Sequence, residues 1–204
     1  MRSFLILLLT SLLAGCVTSS PQKTLFKAEY PQRLDIRQHN VYQFKTRPIV
    51  SSGESYRGSG DLTELFRVSN KNASMLQLRF DYPERSLEVV SLDAHNTVLD
   101  KHIFSLLDES ASGPSDSEGE YFYLTKDGQL MQKTRNCTPD MSVGCQWWIH
   151  NLFITRNGDM AVHYENGSAV VLFLLLPAYG SHEYLEIFSK VSPLSDVTAS
   201  FTPF

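Results

Sequence analysis

Positive charge is in short supply in this 204-residue chain. Eighteen Lys and Arg stand against 22 Asp and Glu, a net charge of −4 with histidine neutral. Nucleic acid and anionic membrane surfaces are gripped by clustered basic side chains, so neither is expected as a partner. Cysteine is scarcer still, at three residues with no CxxC pair, which excludes a thioredoxin-type redox motif. No apolar run reaches the roughly 20 residues a helix needs to cross the bilayer core. No stretch sustains the 3.6-residue apolar period of a long amphipathic helix, so helix content should be low. Phosphate-loop (GxxxxGK) and zinc-protease (HExxH) signatures are missing as well.

What is present starts at the first residue. In MRSFLILLLTSLLAGC, Arg2 is the only charge, Phe4 to Leu9 are apolar, and Leu12 to Gly15 are small or apolar. A cationic start, a short apolar core and a small-residue end describe a secretory signal peptide. Its last four residues, Leu13, Ala14, Gly15 and Cys16, resemble the lipobox of bacterial lipoproteins. The resemblance covers only the first 16 residues. It implies cleavage before Cys16, a diacylglyceryl thioether on its sulfur and a fatty amide on its freed amino group. A thiolate is the nucleophile that such chemistry needs, and three acyl chains exceed the two signals that make an anchor stable. Val17, rather than Asp, follows the cysteine. In enteric-type bacteria that resembles the signal for forwarding to the outer membrane, with the domain on the periplasmic face.

This divides the chain into a signal peptide at 1–15, a lipidated polar tether at 16–28 carrying Pro21, and a domain at 29–204. Without the signal, 17 basic residues face 22 acidic ones, a net charge of −5. An envelope address is oxidising, so Cys137 and Cys145 are expected as a disulfide. The turn formers Pro139, Asp140 and Gly144 between them read as a loop joining two strands. A two-cysteine metal site is the weaker alternative, because no close Cys or His completes a ligand set.

From about Glu29 onward, short runs of β-branched and aromatic residues alternate with Gly, Asn, Asp, Ser and Pro clusters, the mark of antiparallel β structure. In MLQLRFDY, Leu76, Leu78, Phe80 and Tyr82 share one face, while Gln77, Arg79 and Asp81 share the other. Leu62 to Val68 reads as a further strand, and Ser86 to Leu92 and Thr97 to Phe104 as a hairpin around DAHN. The acidic, small-residue stretch 108–120 is the candidate for a mobile loop or a subdomain boundary. YLTKDGQL (123–130) and FITRNGDM (153–160) match position by position. Two copies fall short of a repeat array, so they read as two similar hairpins with Asp-Gly and Asn-Gly in type I′ turns. AVVLFLLL, Ala169 to Leu176, reads as one strand buried on both faces. The expected fold is all-β with little helix: an antiparallel sandwich or two packed antiparallel sheets. A terminal Phe204 raises an outer-membrane barrel, but Pro203, Thr202 and Ser200 break the alternation its last strand would need.

Catalytic patterns fail on context. GESYRG has Arg57 where the nucleophile elbow needs a second Gly, and no strand-to-helix turn surrounds it. SPQK, Ser20 to Lys23, fits SxxK but sits in the tether. The six histidines (39, 95, 102, 150, 163 and 182) make no paired motif; His163 with Glu165, and His182 with Tyr184, share strand faces. No metal site and no cofactor are expected. What remains is recognition. Trp147 and Trp148 follow the presumed staple, and aromatic side chains commonly anchor interfaces. Alternation would equally put one of them in the core and the other on the surface.

The expected function is therefore non-catalytic: a lipid-anchored, periplasm-facing outer-membrane lipoprotein binding an envelope protein or a cell-wall component. One alternative is an inhibitor or immunity lipoprotein that docks an acidic surface into a toxic enzyme's basic cleft. The other is an envelope hydrolase whose site is assembled from distant residues.

Overall fold

The structure, a computed structural model, describes residues 22–111, 120–138, 144–172 and 176–191. Cys16, Ser20, most of 108–120 and Phe204 lie outside the described residues. Nine strands are present among the described residues: β1 (Val41–Val50), β2 (Met75–Asp81), β3 (Ser86–Leu92), β4 (Val98–Asp108), β5 (Tyr121–Leu124), β6 (Leu130–Thr138), β7 (Gly144–Ile154), β8 (Met160–Leu172) and β9 (Leu176–Lys190). They do not form two packed sheets. Each strand pairs with its sequence neighbour and β1 pairs with β9, so a single sheet closes into a barrel. Closure removes the open edges that a small sheet otherwise has to protect. The β4–β5 pair is parallel, so strands on either side of 108–120 are neighbours in the same sheet. The β1–β9 seam is irregular, with register shifts around Pro48; proline, which cannot donate to a ladder, is tolerated at such a break.

All nine strands contribute alternate residues to one buried cluster, from Phe44 on β1 through Leu78, Val89, Phe104, Phe122, Leu130, Leu152 and Val162 to Phe188 on β9. That cluster is the lumen. Leu62 to Val68, expected as a strand, instead plugs it. Helix α2 (Leu62–Leu65) is a single turn capped by Asp61, whose carboxylate accepts from the Thr63 N–H at 3.0 Å and the Thr63 hydroxyl at 2.7 Å. Leu62, Leu65, Phe66 and Val68 are fully buried, and Phe66 packs 5.3 Å from Phe122. A segment surrounded by apolar strands has no free strand to pair with, so it meets its hydrogen bonds locally.

The segment read as a tether is also partly folded. Helix α1 (Lys23–Glu29) lies on the outer face of the barrel, where Leu25, Phe26 and Tyr30 cover Phe153, Ala161, Leu185 and Ile187. AVVLFLLL is not one strand either. It runs from β8 into β9 across a hairpin in which Leu172 faces Leu176, so its register is that of a strand pair.

The two matching segments are equivalent hairpins with a different turn from the one expected. Gly128 N–H donates to Thr125 O at 3.1 Å and Thr125 N–H to Gln129 O at 2.9 Å; Gly158, Thr155 and Asp159 repeat this at 2.9 and 2.8 Å. Only the glycines have positive φ, 69° at Gly128 and 88° at Gly158. This is a type I turn followed by a left-handed glycine, in a three-residue loop. At Gly128 a Cβ would run into the Asp35 side chain, whereas at Gly180 on β9 it would meet nothing within 4 Å. Left-handed backbone costs an L-residue about 1–2 kcal/mol. In urea unfolding, Gly128→Ala should lose more than about 1 kcal/mol and Gly180→Ala very little; equal stabilities would contradict this account of the hairpins.

Candidate binding site at the mouth of the barrel

Strands β6 to β9 outrun the rest of the barrel. The last β1–β9 pair is Val50 with Ile187, so residues 176–186 of β9 have no strand partner on that side among the described residues. The last β5–β6 pair is Tyr123 with Met131. Beyond these points the four strands project as a flap, and its inner face continues the lumen wall.

Rows of directly opposed residues climb that face. Leu152, Val162 and Glu186 form one row, followed by His150, Tyr164 and Tyr184. Trp148, Asn166 and His182 come next, and then Gln146, Ser168 and Gly180. The wall thus turns from apolar to aromatic to polar as it leaves the core. At the far end the disulfide Cys137–Cys145 joins directly opposed residues of β6 and β7, which keeps the flap's tip from fraying.

The loop after β1 closes the lumen under this face. Where β1 stops, its backbone donors lose their strand partner, and Glu186 takes them over. This buried carboxylate accepts from Gly60 N–H at 3.0 Å, Ser51 Oγ at 3.2 Å, and Ser52 N–H and Oγ at 3.4 Å. Such bonds are what make burial of a carboxylate tolerable. The loop so fixed lays Tyr56 flat on Tyr164, 4.2 Å between ring centres and 3° from parallel, with Tyr184 5.9 Å away. His182 stacks beyond Tyr184 at 6.4 Å. Burial pushes the Tyr56 hydroxyl far above the usual phenol range, and the Glu186 charge adds to the shift. Burial also pulls His150 down to about 4. Its Nε2 lies 3.2 Å from the Arg57 carbonyl oxygen, so Nε2 carries the proton of the neutral ring and donates it.

Above this aromatic floor lies an open recess of about 240 Å³, lined by Gln146, Trp148, Asn166, Ser168, Gly180 and His182. The two tryptophans are not brought together. Trp148 faces the recess, partly exposed, and its indole N–H has no partner among the described residues. Trp147 points to the outer face, where its Nε1–H donates to Glu165 at 3.2 Å and its ring covers Gly167. Neither is a core residue. Sequence reading missed Tyr56, Tyr164, Asn166, Gly180 and Glu186. The alternation in Tyr164, Asn166, Ser168 and in His182, Tyr184, Glu186 was the available signal.

A larger cavity of about 510 Å³ sits at the β1–β9 seam, among Leu34, Tyr42, Phe44 and Ile154 with Arg156 and Lys190 on its rim. Val191 is also on the rim. Among the described residues, no three His, Cys, Asp or Glu are grouped to hold a metal. No protein-family model, curated protein or solved structure matches this chain. Fold and site together define a plugged nine-stranded barrel with a polar-aromatic recess at one mouth.

The low pKa of His150 makes stability depend on pH. The unfolded imidazole binds a proton below about 6.5 and the folded one only below about 4, so stability should fall as pH drops through that window. Burial lowers His163, beneath Phe26, in the same sense. For His150 the loss is on the order of 3 kcal/mol. Urea unfolding at pH 7 and pH 4.5 should show His150→Gln losing distinctly less on acidification than the native chain. Parallel losses would contradict a neutral buried His150.

Proposed function

We propose that this chain is a lipoprotein anchored through Cys16 to the periplasmic face of the outer membrane, where it binds an envelope protein or a cell-wall component without catalysing a reaction. The observation that carries the reading is the mouth recess. It is concave, rimmed by exposed Gln146, Gly180 and His182, and stapled by a disulfide suited to an oxidising compartment. Preformed rigid surfaces bind at lower entropic cost.

The chemistry beside the recess favours binding over catalysis. Both Glu186 oxygens are occupied by donors of the 51–60 loop, so its carboxylate is not poised as a general base. His150 is committed to a backbone carbonyl and titrates near 4, well below the range where a base works best at neutral pH.

Fractionation and in-cell crosslinking test the two halves of this reading. The native chain should sediment with outer membranes and Cys16→Ser should appear in the soluble periplasm. A photo-crosslinking side chain in place of Ser168 should capture a specific envelope species, and one in place of Lys101 on the far wall should not. Membrane retention of Cys16→Ser, or no captured species at position 168 across growth conditions, would contradict it.

A further inference from the structure

We infer that the mouth recess is a saccharide subsite, taking one uncharged hexose or N-acetylhexosamine ring of an envelope glycan against Trp148. This rests on the binding reading above and names the ligand class for the same site.

The lining decides the class. Among the described residues its functional groups are two side-chain amides, a hydroxyl, an imidazole and an indole, with no Asp, Glu, Lys or Arg. An ionised ligand would give up its hydration here without meeting an opposite charge, which is costly. A neutral polar ligand pays no such penalty. Sugar rings combine a flat apolar C–H face with a rim of hydroxyls. Trp148 matches the first with its amphipathic ring and the second with an N–H that has no partner among the described residues. Gln146, exposed at the rim, carries a donor and an acceptor on one planar group, and Ser168 adds a hydroxyl. In the sheet, Trp148 is directly opposite Asn166, and Gln146 is directly opposite Ser168. The stacking surface and the hydrogen-bonding groups therefore sit on adjacent strands within one residue row of each other.

The space fits a single ring. Gly180 supplies no side chain on the β9 side, and the position its Cβ would take is open. At about 240 Å³ the recess falls below the roughly 300–1,000 Å³ of sites that enclose drug-sized ligands, so a longer chain would place one ring here and run out over the flap. A protein partner is the less fitting occupant, because interface centres are built from buried aromatic and apolar anchors and this recess is mostly polar.

The test uses the full lipidated protein in a sugar-free polyoxyethylene detergent, titrated with chitotetraose, cellotetraose and maltotetraose. Tryptophan fluorescence and calorimetry read binding, and thermal melting reads folding. At least one oligosaccharide should bind saturably. Gly180→Leu, which fills the open space, and Trp148→Ala should each weaken it at least about tenfold with an unchanged melting temperature. Trp147→Phe, altered on the outer face, should bind as the native chain does. Failure of all three sugars, or undiminished binding by either folded recess variant, would overturn the assignment. If the sugars fail while the crosslinker at Ser168 captures a protein, the saccharide class falls and the binding reading stands. If both fail, both fall.

Discussion

The Glu186 carboxylate determines where the lumen of this barrel ends. β9 continues past the end of β1, and the chain leaving β1 must satisfy its backbone donors without a strand beside it. Glu186, on the inner face of β9 and buried, accepts from Ser51, Ser52 and Gly60. Those bonds turn the 51–60 loop inward. Tyr56 then lies on Tyr164, and the Arg57 carbonyl meets His150. The plug that follows, Leu62 to Val68, enters the lumen from this fixed point. The stacking of Tyr56 on Tyr164 beneath the recess is thus a consequence of one hydrogen-bonded carboxylate, and it would be lost if the loop swung free.

The rest of the site is a matter of gradient. Along β7, β8 and β9 the inner residues pass from Ile154, Met160 and Phe188 to Gln146, Ser168 and Gly180 over a few rows. A core must exclude water, so its polar groups need partners inside the protein. The outer rows are beyond the plug, where polar groups can meet solvent or a ligand. The disulfide lies one residue beyond Gln146, at the end most prone to fray. Geometry of this kind stiffens a surface for recognition.

Much of the β structure was legible because the signals were local. The alternation in MLQLRFDY marked β2 and its inward face, DAHN marked the β3–β4 turn, and the two matched segments marked two hairpins. Barrel closure was not legible, because the β1–β9 seam joins distant residues through irregular pairs and leaves no local pattern. Leu62 to Val68 misled because an all-apolar run reads the same whether it is a buried strand or a plug. AVVLFLLL misled because apolar composition carries no mark of its division between two paired strands, with Leu172 opposite Leu176. Tyr164, Asn166 and Glu186 were missed for a related reason. Polar residues at alternate strand positions read as a solvated outer face, and here that alternation lines the inner wall of a flap. The adjacent tryptophans were noticed, yet strand alternation assigns them to opposite faces, and only Trp148 belongs to the recess.

That separation supplies the most direct measurement. The chain has two tryptophans, so a ¹⁵N-labelled sample gives two indole N–H resonances, one on each face of β7. Titrated with soluble glycan fragments released from the cell envelope, the Trp148 resonance should shift progressively while that of Trp147, held by Glu165, stays in place. Movement of Trp147 alone, or of neither resonance, would contradict a binding face on the inner side of the flap.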